Sequence, residues 1–166
     1  ALQPPRARGS REGIFAAQVT NQGSTAVKVQ MQAADAEQRC HFLFDPFELQ
    51  VPAAGQASSR LRVRFKSPPA ESAPRTAQFV VTVQAVDAPT VTCQTQGEWE
   101  QVPPTFDLAI QPGQQGAMSG LFVLMLKNTS DIDLNLSLSV ADAQQAGLYA
   151  LAPALAAVPA GQARTV

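Results

Sequence analysis

One histidine and two cysteines are all the imidazole and thiol groups that 166 residues provide. A structural zinc site needs four ligands, so none is expected without carboxylates or a second chain, and no metal or cofactor is assigned. A Ser/His/Asp or Cys/His nucleophilic site would have to use His41, beside Cys40. Charge is scarce as well: charged residues make up 15%, with Lys+Arg 12 against Asp+Glu 13. Nucleic-acid-binding domains carry a basic excess and polybasic membrane tethers a lysine/arginine cluster; neither is present. The densest apolar run, GLFVLML at 120–126, is far too short to span a bilayer, so no membrane insertion by this segment is expected. The sequence shows no secretory leader and no initiator Met, and reads as a piece of a longer protein. Helical stripes bounded by caps are missing too. The nearest candidate is ADAQQAGLYALA at 141–152.

What the chain has instead is alternation. Val27, Val29, Met31 and Ala33 interleave with Lys28, Gln30 and Gln32, and Leu61, Val63 and Phe65 with Arg60, Arg62 and Arg64. Phe79, Val81 and Val83 interleave with Gln78, Val80 and Thr82. A period of two marks a strand with one face buried, because successive side chains point to opposite faces. NQGST at 21–25, DPF at 45–47, the proline-rich KSPPAESAPR at 66–75 and DAP at 87–89 break these runs. Strands are predicted at about 2–5, 13–21, 26–34, 40–44, 47–51, 57–66, 77–87 and 90–97, an antiparallel two-sheet sandwich.

The pattern then returns. A shift of 107 residues sets Val51 on Val158, Gly13-Ile14-Phe15 on Gly120-Leu121-Phe122, Asn21 on Asn128, AADAEQ at 33–38 on VADAQQ at 140–145, and Pro46 on Pro153. LQP at 2–4 meets IQP at 110–112 with a one-residue adjustment. Ala54 reads as an insertion, after which Gly55-Gln56 meets Gly161-Gln162. The repeat divides the chain into a β-sandwich over 1–100, a stiff Pro-containing linker at 101–105 and the first half of a second sandwich over 106–166. The fold class is therefore all-β: immunoglobulin-like antiparallel sandwiches in tandem, the second incomplete.

The Asn21–Gly23 turn, the F-x-P-x-x-L-x-V-P phrase from Phe44 to Pro52 with its Gly55, and the paired-strand finish near Trp99 resemble bacterial immunoglobulin-like repeats of the major-sperm-protein or ASH type. The resemblance covers the first unit and the first half of the second. It implies a spacer, binding platform or assembly module within a long bacterial repeat protein, and it supplies no catalytic residue. The expected function is a non-enzymatic structural, adhesive or protein-docking module, at the cell surface or otherwise outside the cytoplasm, with a cytoplasmic setting left open. Alternatives are a subunit of a filament or phage-tail-like assembly, and an accessory domain of a secreted carbohydrate-active or other enzyme. Expected partners are other protein subunits or neighbouring repeats, including strand donation that completes the second domain.

Several side chains are candidates for more than packing. Cys40 and Cys93 share strand parity with inward residues, so a disulfide between them is a candidate, and with it an oxidising compartment. Arg60, Arg62 and Arg64 form a solvent-facing row that either grips an acidic partner or polysaccharide or guards against edge-to-edge aggregation. Strand 13–21 sends Ala16, Gln18 and Thr20 outward where its second copy sends Val123, Met125 and Lys127. An apolar outer face suggests that Val123 and Met125 touch the linker, the first domain or another subunit. Asp35, Glu37, Asp131 and Asp133 read as solvated turn carboxylates rather than calcium ligands.

Overall fold

The computed structural model describes residues 1–67, 73–112, 120–141 and 147–166, which fall into two compact units, Ala1–Pro103 and Pro104–Val166. The proline-rich loop expected at 66–75, the match of 140–145 to 33–38 and the helical candidate at 141–152 lie partly outside the described residues; the described stretch 147–152 forms no helix. Every described element is a β-strand.

In the first unit the alternating runs become two sheets packed face to face. One has the order β1 (Leu2–Gln3), β3 (Gly13–Thr20), β7 (Gln56–Phe65), β5 (Cys40–Asp45). The other has the order β2 (Arg6–Gly9), β9 (Thr92–Gln101), β8 (Arg75–Ala85), β4 (Val27–Asp35), β6 (Glu48–Val51). The inward positions of each period-two pattern fill the space between them: Phe15, Leu61, Val63, Phe79, Val81 and Trp99 are essentially inaccessible to solvent. Their rings interlock, with Phe15 edge-on to Phe79 at a centroid distance of 5.2 Å and Phe65 against Trp99 at 4.9 Å. Burying each such side chain stabilises by about 1.5–3 kcal/mol, which makes this core the dominant favourable contribution to the unit. Gly97 leaves room for the ring of Phe79, its cross-strand partner on β8, and for Leu2 of the other sheet, since a Cβ there would run into both.

The single strand expected at 2–5 is two. Leu2–Gln3 pairs antiparallel with β3 in one sheet, the chain crosses at Pro4-Pro5, and Arg6–Gly9 pairs parallel with β9 in the other. Ala7 and Gly9 carry too little apolar surface to announce a strand in sequence. Their stability comes from the ladder and from ion pairs outside it, Arg6 to Glu98 at 2.7 Å and Arg8 to Glu100 at 3.6 Å.

The second unit reuses the same hydrogen-bond grammar. β10 (Phe106–Gln111), β11 (Val123–Asn128) and β14 (Ala163–Thr165) form one sheet, and β12 (Leu134–Ser137) and β13 (Leu155–Val158) another. Val27 faces Val51 as Leu134 faces Val158, and Gln18 faces Ser58 as Met125 faces Thr165. All four match at a shift of 107. Asn21 donates to the carbonyls of Thr25 and Val51 and accepts from Gly23 N–H; Asn128 donates to Ile132 and Val158 and accepts from Ser130 N–H. Each asparagine thus pins a turn to the end of another strand.

This constant register removes the expected insertion at Ala54. Gly55 N–H donates to Pro52 O at 3.1 Å, and its structural equivalent is Gln162 N–H to Pro159 O at 3.1 Å. Ala54, at φ 49°, therefore occupies the left-handed position that Gly161 occupies at φ 68°. The sequence match was misled because the second copy uses Gly where the conformation demands it and the first tolerates Ala there. The core of the second unit is small: Leu126, Ala156 and Val158, with Leu136, Leu138 and Val166 packed on them. Phe106, Leu108 and Ile110 of β10 stay about half exposed. Strands β8 and β9 have no counterpart among the described residues.

Candidate docking edge and surface residues

The first unit carries one feature that a closed sandwich would not: an open stretch along β9. β8 pairs with β9 over Thr92–Gln101, but on its other side β2 covers only Glu98–Gln101. Glu98 N–H donates to Pro5 O at 3.1 Å and Val102 N–H to Gly9 O at 3.1 Å. Even-numbered residues thus turn their backbone groups toward this side, and parity continues the row to Gln96, Gln94 and Thr92, where no strand lies among the described residues. On the β8 side, the odd residues bond, as Ala85 N–H to Val91 O at 3.0 Å shows.

Beside this edge the two sheets part into a groove of about 340 Å³, lined by Ala17, Val19, Val81, Val83, Cys93 and Thr95. A second hollow of about 470 Å³ continues it toward Val27, Val29 and Val91. Val91 is 63% exposed and Cys93 is exposed, although both lie in the inward row with Thr95, Gly97 and Trp99. An unpaired N–H and C=O row next to an uncovered apolar row is the geometry that accepts an added strand: the backbone supplies pairing and the groove takes alternate side chains.

Of the two cysteines expected to point inward, Cys40 is buried and Cys93 is exposed, and both are free, with no disulfide between them. Cys40 pairs with Phe65, whose ring packs on Trp99, whereas Cys93 lies six residues along β9 from Trp99. Six residues of strand span about 20 Å, beyond the roughly 7 Å that a bridge tolerates between Cα atoms. Burial, reinforced by the Asp35 carboxylate, pushes the Cys40 thiol up to about 11. Asp35 itself is buried, not solvated: its carboxylate accepts Arg39 N–H at 2.7 Å and Cys40 N–H at 3.2 Å, closing the β4–β5 turn. Glu37, Asp131 and Asp133 are exposed, and Asp133 accepts Ala160 N–H at 2.9 Å. No group of three or more metal-ligating side chains occurs among the described residues. His41 is exposed on the edge strand β5, opposite Arg64.

Arg60, Arg62 and Arg64 do share the outer face of the first sheet, on β7 between β3 and β5. Arg64 pairs with Glu12 at 2.5 Å. The Cα atoms of successive members of the row are about 7 Å apart along the strand. In the second unit Val123 is half-buried and Met125 is 42% exposed. They lie on the outward row of β11, with Lys127 beyond them.

The fold defines a class, two-sheet β-sandwich units of immunoglobulin type repeated along one chain. No protein-family model matches the sequence, and no curated protein matches it significantly. Among solved structures it is similar to the YadV chaperone, at 11% identity and a TM-score of 0.45, over 80% of this chain and 68% of that one. It is similar to the CupB2 chaperone of Pseudomonas aeruginosa, at 15% identity and a TM-score of 0.41, over 99% and 86%. WR4, a Caenorhabditis elegans member of the major-sperm-protein family, matches at 15% identity and a TM-score of 0.41, over 61% and 96%.

Proposed function

We propose that the chain is a non-enzymatic protein-docking module, built from repeated β-sandwich units, which takes an extended partner strand on the open edge of β9. The observation that carries this reading is the termination of β2 pairing at Glu98, which leaves Thr92–Gly97 without an outer strand neighbour among the described residues, beside an apolar groove. A strand laid there in line with β2 would gain main-chain hydrogen bonds from the even residues. It would also cover Val91 and Cys93 with its alternate side chains. The outward pair Val123 and Met125 is a second contact surface in this reading, suited to a neighbouring protein's apolar face. The module acts as a platform in an extracytoplasmic assembly, although the free cysteines remove the disulfide as a reason for an oxidising compartment.

The test is titration with a synthetic peptide in which Val and Thr alternate, flanked by lysines for solubility, followed by calorimetry. Wild-type protein binds it, and Gln94→Pro, which removes one outward N–H, abolishes binding without unfolding the protein. Equal binding by both proteins, or by neither, overturns the proposal.

A further inference from the structure

We infer that the solvent face of β7, with its two aliphatic neighbours, is a docking surface for an acidic polypeptide segment in which carboxylates and aliphatic side chains alternate. The surface is separate from the β9 edge and independent of strand addition there.

Edge protection does not account for the arginine row. Charges guard a sheet when they sit on its edge strand, but Arg60 and Arg62 lie on the stretch of β7 that is paired with both β3 and β5. Arg60 and Arg62 therefore place two like charges on a stretch of strand that needs no guard. Within the row, Glu12 neutralises Arg64, but no described residue neutralises Arg60 or Arg62. The other strand arginines are engaged: Arg6 and Arg8 with Glu98 and Glu100, Arg64 with Glu12, Arg75 with Gln101, and Arg164 with the Ala157 carbonyl. The side chains of Arg60 and Arg62 make no hydrogen bond or ion pair among the described residues, although Asp45 stands opposite Arg60 in register.

The flanks of the row decide the kind of partner. Ile14, Arg62 and Leu43 lie side by side across β3, β7 and β5. Ile14 is 42% exposed and Leu43 is 53% exposed, so a cation stands between two uncovered aliphatic groups. An anionic polysaccharide answers the charges and leaves both aliphatic side chains in water. A polypeptide with carboxylates at one repeat and aliphatic groups at the next answers both. Arginine suits the first part because its planar fork binds a carboxylate through two hydrogen bonds.

The probe is a short synthetic peptide in which Glu and Leu alternate, followed by fluorescence anisotropy, with a Gln/Leu peptide and heparin as comparisons. The Glu/Leu peptide is expected to bind, and the Gln/Leu peptide is not. Arg60→Gln/Arg62→Gln is expected to weaken binding about tenfold, Leu43→Ser about threefold, and added salt should weaken it further. Thermal unfolding of each variant, run in parallel, separates loss of contact from loss of fold. Should the Gln pair unfold, Arg60→Lys/Arg62→Lys keeps the charge and loses the fork; it is then expected to bind more weakly than wild type. The proposal is overturned if the Gln/Leu peptide binds equally well, or if neither arginine pair variant weakens binding. Tight heparin binding that Leu43→Ser leaves unchanged, with no binding of the Glu/Leu peptide, would assign the face to a polysaccharide instead.

Discussion

At the scale of single residues, the two left-handed turn positions make opposite predictions. Ala54 holds φ 49° against the steric preference of its Cβ, and Gly161 holds φ 68° without strain. Ala54→Gly is expected to stabilise the first unit and Gly161→Ala to destabilise the second, each by about 1 kcal/mol, read from denaturant unfolding midpoints. The cysteines should differ in chemistry. Cys93 is exposed and Cys40 buried, so a thiol reagent at neutral pH is expected to label one cysteine in the native protein and both after denaturation. The raised Cys40 value also has a pH consequence. Above pH 9, its ordinary value, the unfolded thiol ionises while the folded one stays protonated up to about 11. The folded state then binds more protons, so stability falls as pH rises from 9 to 11; Cys40→Ala should remove that part of the slope.

At the scale of strands, the long alternating runs were legible because each carries one buried face: 56–65 and 75–85 lie within two residues of the expected bounds. What was not legible depended on partners. Nothing in PPRARG states that the chain changes sheets at Pro4-Pro5, because Ala7 and Gly9 are strand residues only by virtue of β9 beside them. Parity places Cys93 in the row of Gly97 and Trp99, but parity does not set exposure, and Cys93 is exposed. The open edge on β9 is invisible in sequence for the same reason, since it exists only where β2 ends. It does carry a positional prediction. Gln94→Pro, whose N–H faces outward, should leave stability within about 1 kcal/mol of wild type. Thr95→Pro removes a bond to β8 and should cost about 3 kcal/mol. Chemical unfolding of the two variants makes the comparison.

For the whole molecule, the repeat predicts where stability is stored. The first unit has a large interlocked core, whereas among the described residues Leu126, Ala156 and Val158 are the buried apolar residues of the second. Trp99, the chain's one tryptophan, lies in the first core and Tyr149, its one tyrosine, in the second unit. The second unit is therefore expected to melt at lower denaturant, with loss of β-sheet signal preceding any change in Trp99 fluorescence. Coincident transitions would show that the two cores unfold as one. The repeat length and the turn grammar of Asn21 and Asn128 could be read from sequence, because they rest on local chemistry. Docking could not, because it rests on which edges the topology leaves open. The most direct test is hydrogen–deuterium exchange at the Thr92, Gln94 and Gln96 amides, with and without the alternating Val/Thr peptide. Strand addition predicts fast exchange at all three in the free protein and strong protection once the peptide is added. Amides already protected in the free protein, or equally fast with saturating peptide, would contradict it.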